Sequence, residues 1–211
     1  GNNTVAGGAG NDILQGGAGN DILSDTNGKA LFDGGIGADS LTGGTGSEIF
    51  IGGKGNDTIT TSTGADLILF NRGDGQDVIA ASAGKDNTVS LGGIGYSSLA
   101  LQKSGNDLLM SLGAGDQMTF KNWYADTGNR SVATLQMVIE GTADHNGNGS
   151  ALQNRKIQEF DFGGLAGAFD AARAANASLT TWALSSSLLK YHLGGSDDLA
   201  YGGSLAYLYA T

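Results

Sequence analysis

Eight carboxylates recur along the first 89 residues at a spacing that chemistry can use. Asp12, Asp21, Asp39, Glu48, Asp57 and Asp66 fall on one nine-residue frame, and Asp77 and Asp86 resume it after an insertion at Phe70-Asn71. Acids repeated singly at a fixed interval do not suit hydrolysis, which needs two carboxyl groups at one defined separation. They suit ligation of a hard cation. A carboxylate joined by backbone carbonyls supplies several flexible oxygen donors, which fit calcium and not zinc or a soft metal. Stacked on one another without a cation, these acids would repel.

The residues around each acid say what positions it. Read in nines from Gly7, the chain gives GGAGNDILQ, GGAGNDILS, DTNGKALFD, GGIGADSLT, GGTGSEIFI and GGKGNDTIT. The glycines Gly7, Gly8 and Gly10, Gly16, Gly17 and Gly19, Gly34, Gly35 and Gly37, Gly43, Gly44 and Gly46, and Gly52, Gly53 and Gly55 open five of the six units. Gly64 and Gly75 hold the fourth position of the first two of the three acid-bearing units, at Thr61 and Arg72, that follow the last Gly pair. Such glycines turn the chain where side chains would collide or φ must be positive. We therefore expect all of them to shape the cation sites with the eight acids. The residues after each acid are too few for a helical turn but suit a short strand with one inward side chain. Leu14, Leu23, Phe32, Leu41, Phe50 and Ile59 take that eighth position. One unit cannot bury its own apolar residue, so units must stack. The spacing predicts an all-β parallel β-roll, a solenoid of nonapeptide repeats with two units per coil, over residues 1–89. From Thr61 the pattern weakens, with TSTGADLIL, RGDGQDVIA and ASAGKDNTV as its last units.

Composition narrows the partners. Net charge is −10 over 211 residues, and residues 1–89 hold eleven acids against four bases. That balance argues against nucleic acid or an anionic membrane as partner. Cysteine is absent, which removes zinc-finger, disulfide and thiol-nucleophile readings together. No apolar run is long enough for a transmembrane segment. The start GNNTVAGG has neither the basic nor the apolar part of a signal peptide, and it sits in mid-repeat, so the chain reads as part of something longer. No H-E-x-x-H, G-x-S-x-G or P-loop occurs, and the reading is not an enzyme.

Residues 90–141 change period. Leu99–Leu112 reads as two strands around a Ser-Gly-Asn-Asp turn, and Asp116–Tyr124 and Ser131–Glu140 read as further strands. They form a β capping segment, with Trp123 and Tyr124 as lids over the open core. Residues 142–211 are a polar loop and a C-terminal helical tail. Asp144, Asn146, Asn148 and Gly149 match half of a calcium loop whose twelfth position is Arg155, not Glu. Gly164–Ala177 reads as one helix, Leu179–Leu193 as a second capped by Ser178, and a short last helix is expected after Ser196 or Asp197.

On the repeats of Gly7–Thr60 the chain resembles the RTX (repeats-in-toxin, haemolysin-type) calcium-binding family. FNRGDGQDVIAASAGKD, LALQKSGNDLLMSL and DQMTFKNWY resemble the capping segment of adenylate cyclase toxin-type and other large type I-secreted exoproteins. The resemblance implies several Ca2+ ions, each between successive turns on one flank. One flank would stack Asn3, Asp21, Asp39, Asp57 and Asp77; the other would stack Asp12, Ala30, Glu48, Asp66 and Asp86. Ala30 sits in the unit that lost its Gly pair, so that flank is expected to carry fewer ions. The resemblance further implies a secreted, extracellular module that folds on meeting calcium, with type I secretion machinery as partner. The alternatives it leaves are an adhesive module with a host-surface or glycan target, or an accessory part of an epimerase, lipase or protease.

Overall fold

The computed structural model describes residues 1–197. The expected helix after Asp197 lies outside the described residues.

Strands recur every eighteen residues through the repeats, two nonapeptides to a coil, with last steps of twenty residues to Gln76–Ile79 and twenty-one to Asn87–Gly92. Thr4–Ala6, Ile22–Ser24, Ser40–Thr42, Thr58–Thr60 and Gln76–Ile79 stack in parallel on one wall. Ile13–Ala18, Leu31–Ile36, Ile49–Lys54, Leu67–Asn71 and Asn87–Gly92 form the other. The result is a β-solenoid of about five turns. Leu14, Leu23, Phe32, Leu41, Phe50 and Ile59 point between the walls and are buried. Phe32 and Phe50 stack with ring centroids 4.9 Å apart and planes 5° off parallel, a geometry that identical coils one rung apart impose.

Each wall is then extended by non-repeat chain. Asp116–Phe120 adds in parallel to Gln76–Ile79, followed antiparallel by Asp107–Gly113 and Ala100–Ser104. Val132–Val138 adds in parallel to Asn87–Gly92, followed antiparallel by Ile157–Asp161. The walls reach nine and eight strands. The open end of the core is closed by Phe120, Trp123 and the helix Phe162–Ala175, whose Phe162 ring lies 5.1 Å from Phe120 and 5.6 Å from Trp123. Trp123 is thus the lid the sequence implies, while Tyr124 is half-buried beside it. One apolar core runs unbroken from Leu14 through the cap to Leu188.

The second expected helix is a correction. Leu179–Leu193 holds a strand, Thr181–Ala183, a 3-10 turn, Leu188–Tyr191, and the start of a strand, His192–Ser196. These strands pair with Ala100–Ser104 and Ile157–Asp161, at the outer edges of the two walls. Thr180-Thr181 and Ser185-Ser186-Ser187 are weak helix formers, and unpaired sheet edges offer them backbone partners. Long-range pairing overrode an apolar spacing that local reading takes as helical.

Candidate metal centre

The turns between the walls stack into two flanks, and in each the acids form a ladder. The backbone N–H of Asn3 donates to Asp21 Oδ1 at 2.6 Å, that of Asp21 to Asp39 Oδ1 at 2.7 Å, and that of Asp39 to Asp57 Oδ1 at 2.8 Å. The N–H of Asp57 donates to Asp77 Oδ1 at 3.0 Å. On the opposite flank Glu48 donates to Asp66 Oδ1 at 2.9 Å. Asp21, Asp39, Asp57, Asp66 and Asp77 therefore each accept from the coil before with one oxygen. One oxygen is left over on six of the acids: Oδ2 of Asp12, Asp21, Asp39, Asp57 and Asp66, and Oε2 of Glu48, are buried and accept from nothing. Asp21, Asp39, Glu48, Asp57, Asp66 and Asp77 are all at most 2% exposed.

The first glycine of each unit makes room for that free oxygen. A Cβ on Gly16 or Gly34 would stand 2.5 or 2.6 Å from Oδ2 of Asp21 or Asp39, and on Gly7 or Gly43 2.9 or 3.0 Å from Asp12 Oδ2 or Glu48 Oε2. Gly52 stands in the same relation to Asp57. The other motif glycines serve the backbone. Gly17 has φ +95° and Gly19 φ +124°, and a Cβ on Gly37 or Gly46 would strike the carbonyl of the coil below. A second ladder, absent from the sequence reading, runs through the fifth position. Asn2, Asn20 and Asn56 side chains accept at 2.9 Å from the backbone of Asn20, Ala38 and Gln76 respectively.

Five of the buried ladder acids, lacking counter-charge, shift upward. Desolvation is the largest cause at each. It carries Asp57 to about 6 and Asp77 to about 8, against backbone hydrogen bonds that lower them. Glu48 rises to about 8 through desolvation and then its closeness to Asp66. Asp39 and Asp66 are raised for the same leading reason. Among the described residues, the ion pairs Lys121–Asp107, Arg130–Asp170, Arg155–Asp197, Lys156–Glu140 and Arg173–Asp170 all lie outside the ladders. No three acidic or imidazole side chains converge as a side-chain metal cage among those residues. Any cation here must draw on backbone carbonyls as well, which is calcium's habit.

One site residue is corrected. Asp86 is exposed, and Asn87 takes the ladder place, its Oδ1 accepting from Asp66 N at 3.0 Å and its Nδ2 donating to Thr61 Oγ1 at 3.1 Å. The wall register agrees: Ile68 pairs with Val89, which is buried in the eighth-position role, so the frame slips by one residue before Ser82. The sequence signal for it was the apolar Val89 standing one place after Thr88, the eighth position of the counted frame. Three acids were missed. Asp74 Oδ2 accepts from Asn71 N at 2.6 Å, and Asp116 Oδ2 from Gly73 N at 2.7 Å, tying the inserted turn to the cap. Asp25 is buried with its Oδ2 unpartnered. The half calcium loop is spent structurally, since Asp144 Oδ2 accepts from Tyr96 N at 2.7 Å.

A family model described as the RTX calcium-binding nonapeptide repeat matches in four copies, at residues 1–24, 26–59, 33–68 and 42–76. No curated protein matches the chain.

Proposed function

We propose, on the premise that the repeat block of this chain belongs to the RTX calcium-binding nonapeptide repeat family, that the chain is a calcium-coupled folding module of a secreted bacterial protein. The block is a structural calcium-binding module and not catalytic by itself. The observation that carries the proposal is the row of buried carboxylate oxygens with no partner. Leaving one such charge buried and uncompensated costs several kcal/mol, and the two ladders hold at least six of these oxygens. Bound Ca2+ would supply the missing positive charge. Asp12, Asp21, Asp39, Glu48, Asp57, Asp66 and Asp77 would hold it, with carbonyls of the glycine turns.

The coupling follows from where the sites are. Each lies between coils, so none exists in an unfolded chain, and binding energy is folding energy. At the low free calcium of a cytosol the acids repel and the chain stays open, the state a type I exporter takes. At the calcium levels outside a cell it closes. Residues 90–141 cap the roll and, with the helix, supply the apolar end on which coils nucleate. No helix among the described residues is long and apolar enough to cross a membrane.

The test is export of this chain by a type I system, with an Asp39→Asn/Asp57→Asn variant alongside. Wild type should appear outside faster in millimolar calcium than in chelator, and the variant should show no calcium response. Equal export of both under both conditions would overturn the secretion reading.

A further inference from the structure

Five units begin with glycine because a Cβ there meets the free oxygen of the sixth-position acid. The unit Asp25–Asp33 breaks both rules together: its first residue is Asp25 and its sixth is Ala30. The two departures compensate. Ala30 leaves the space that an acid fills elsewhere, and the side chain of Asp25 starts from the position whose Cβ faces that space.

The backbone around it is intact. Asp25 N donates to Thr42 O at 3.0 Å, and Gly7 N to Ser24 O at 2.9 Å. Ala9-Gly10 and Asn27-Gly28 pair in parallel. Gly28 has φ +115°, as Gly10 has φ +127° in the coil before it. The turn Asp25–Gly28 thus keeps its fourth glycine and its strand pairing to the coil before it.

Asp25 is 3% exposed. Its Oδ1 accepts from Thr26 N at 2.7 Å, closing its own turn. Its Oδ2 is buried and accepts from nothing, the same signature as the ladder acids. It also lies near enough to Glu48 for the two charges to repel. A turn cap alone explains Oδ1 but leaves Oδ2 unexplained.

We propose that Asp25 is a calcium ligand that replaces the missing sixth-position acid, so the Ala30 unit keeps a full cation site. This inference rests on the calcium-binding reading of the module. It reverses the expectation that the flank through Asp12 and Glu48 carries fewer ions on account of Ala30.

The test counts calcium bound by equilibrium dialysis and isothermal titration, using Asp25→Asn. That amide keeps the oxygen that closes the turn and loses only the charge. The variant should bind one Ca2+ fewer, or show one class of sites weakened about tenfold or more. Asp33→Asn, which removes a charge from the same unit outside the ladder, should keep the wild-type number of bound ions. The exchange Asp25→Gly/Ala30→Asp moves the acid back to the sixth position and should restore the full count. Wild-type affinity and stoichiometry in Asp25→Asn would overturn the proposal. No calcium binding by wild type would instead overturn the module reading itself. Circular dichroism of each variant in saturating calcium separates a lost ligand from a lost fold.

Discussion

At Asp39 the backbone N–H of Asp21 occupies Oδ1, while Oδ2 faces a buried space beside Gly34. Asp39→Asn preserves the first contact and removes the charge from the second. We expect calcium affinity at that site to fall about tenfold or more, the scale of one lost charge-assisted contact, as read by titration calorimetry. In chelator the same variant should show more β signal by circular dichroism than wild type, because an uncompensated buried charge has gone. Gly34→Ala asks a different question, since φ there is not positive and only space is at stake. Its Cβ would stand 2.5 Å from Gly52 O and 2.6 Å from Asp39 Oδ2. The cost should be about 1–3 kcal/mol of stability in calcium, measured by denaturant unfolding. A neutral Gly34→Ala would mean the first glycine does not make room for the carboxylate.

The strands and turns were legible wherever the nine-residue period held, because a solenoid gives every unit the same environment and so the same residues. Leu14 through Ile59 announced themselves by spacing, and the structure buries all six. Legibility failed where the period slipped. One extra residue before Ser82 moved the ladder place from Asp86 to Asn87, and a frame counted from the last good unit cannot register a single insertion. It failed again at Asp25, because a motif read position by position scores two losses where the fold makes one exchange. It failed at Leu179–Leu193, where partners 81 residues away in sequence (Leu101 for Trp182) decide the conformation. The lid is testable at this scale. Trp123→Ala opens the core against Phe120 and Phe162 and should cost about 3–5 kcal/mol. More calcium should then be needed to reach the folded state.

For the whole molecule the ladders make folding a competition among protons, calcium and charge repulsion. Glu48 and Asp77 at about 8 and Asp57 at about 6 all sit above their ordinary values, so the folded state holds protons that the unfolded chain has released. Stability in chelator should therefore be greatest below about pH 4, and it should fall as pH rises through 6 to 8. Calcium displaces those protons, so its apparent affinity should rise across the same window, and thermal melts at several pH values with and without calcium would show opposite slopes. A chelator melt flat from pH 4 to 8 would mean the acids are not buried together. The continuous core from the repeats to the cap adds that these changes should occur as one transition. The most direct test is circular dichroism of the chain titrated with calcium, with magnesium as control. The account predicts a cooperative gain of β signal at sub-millimolar to millimolar calcium and none with magnesium, whose rigid, strongly hydrated octahedron suits these carbonyl turns poorly. A full β spectrum already present in chelator at neutral pH would contradict it.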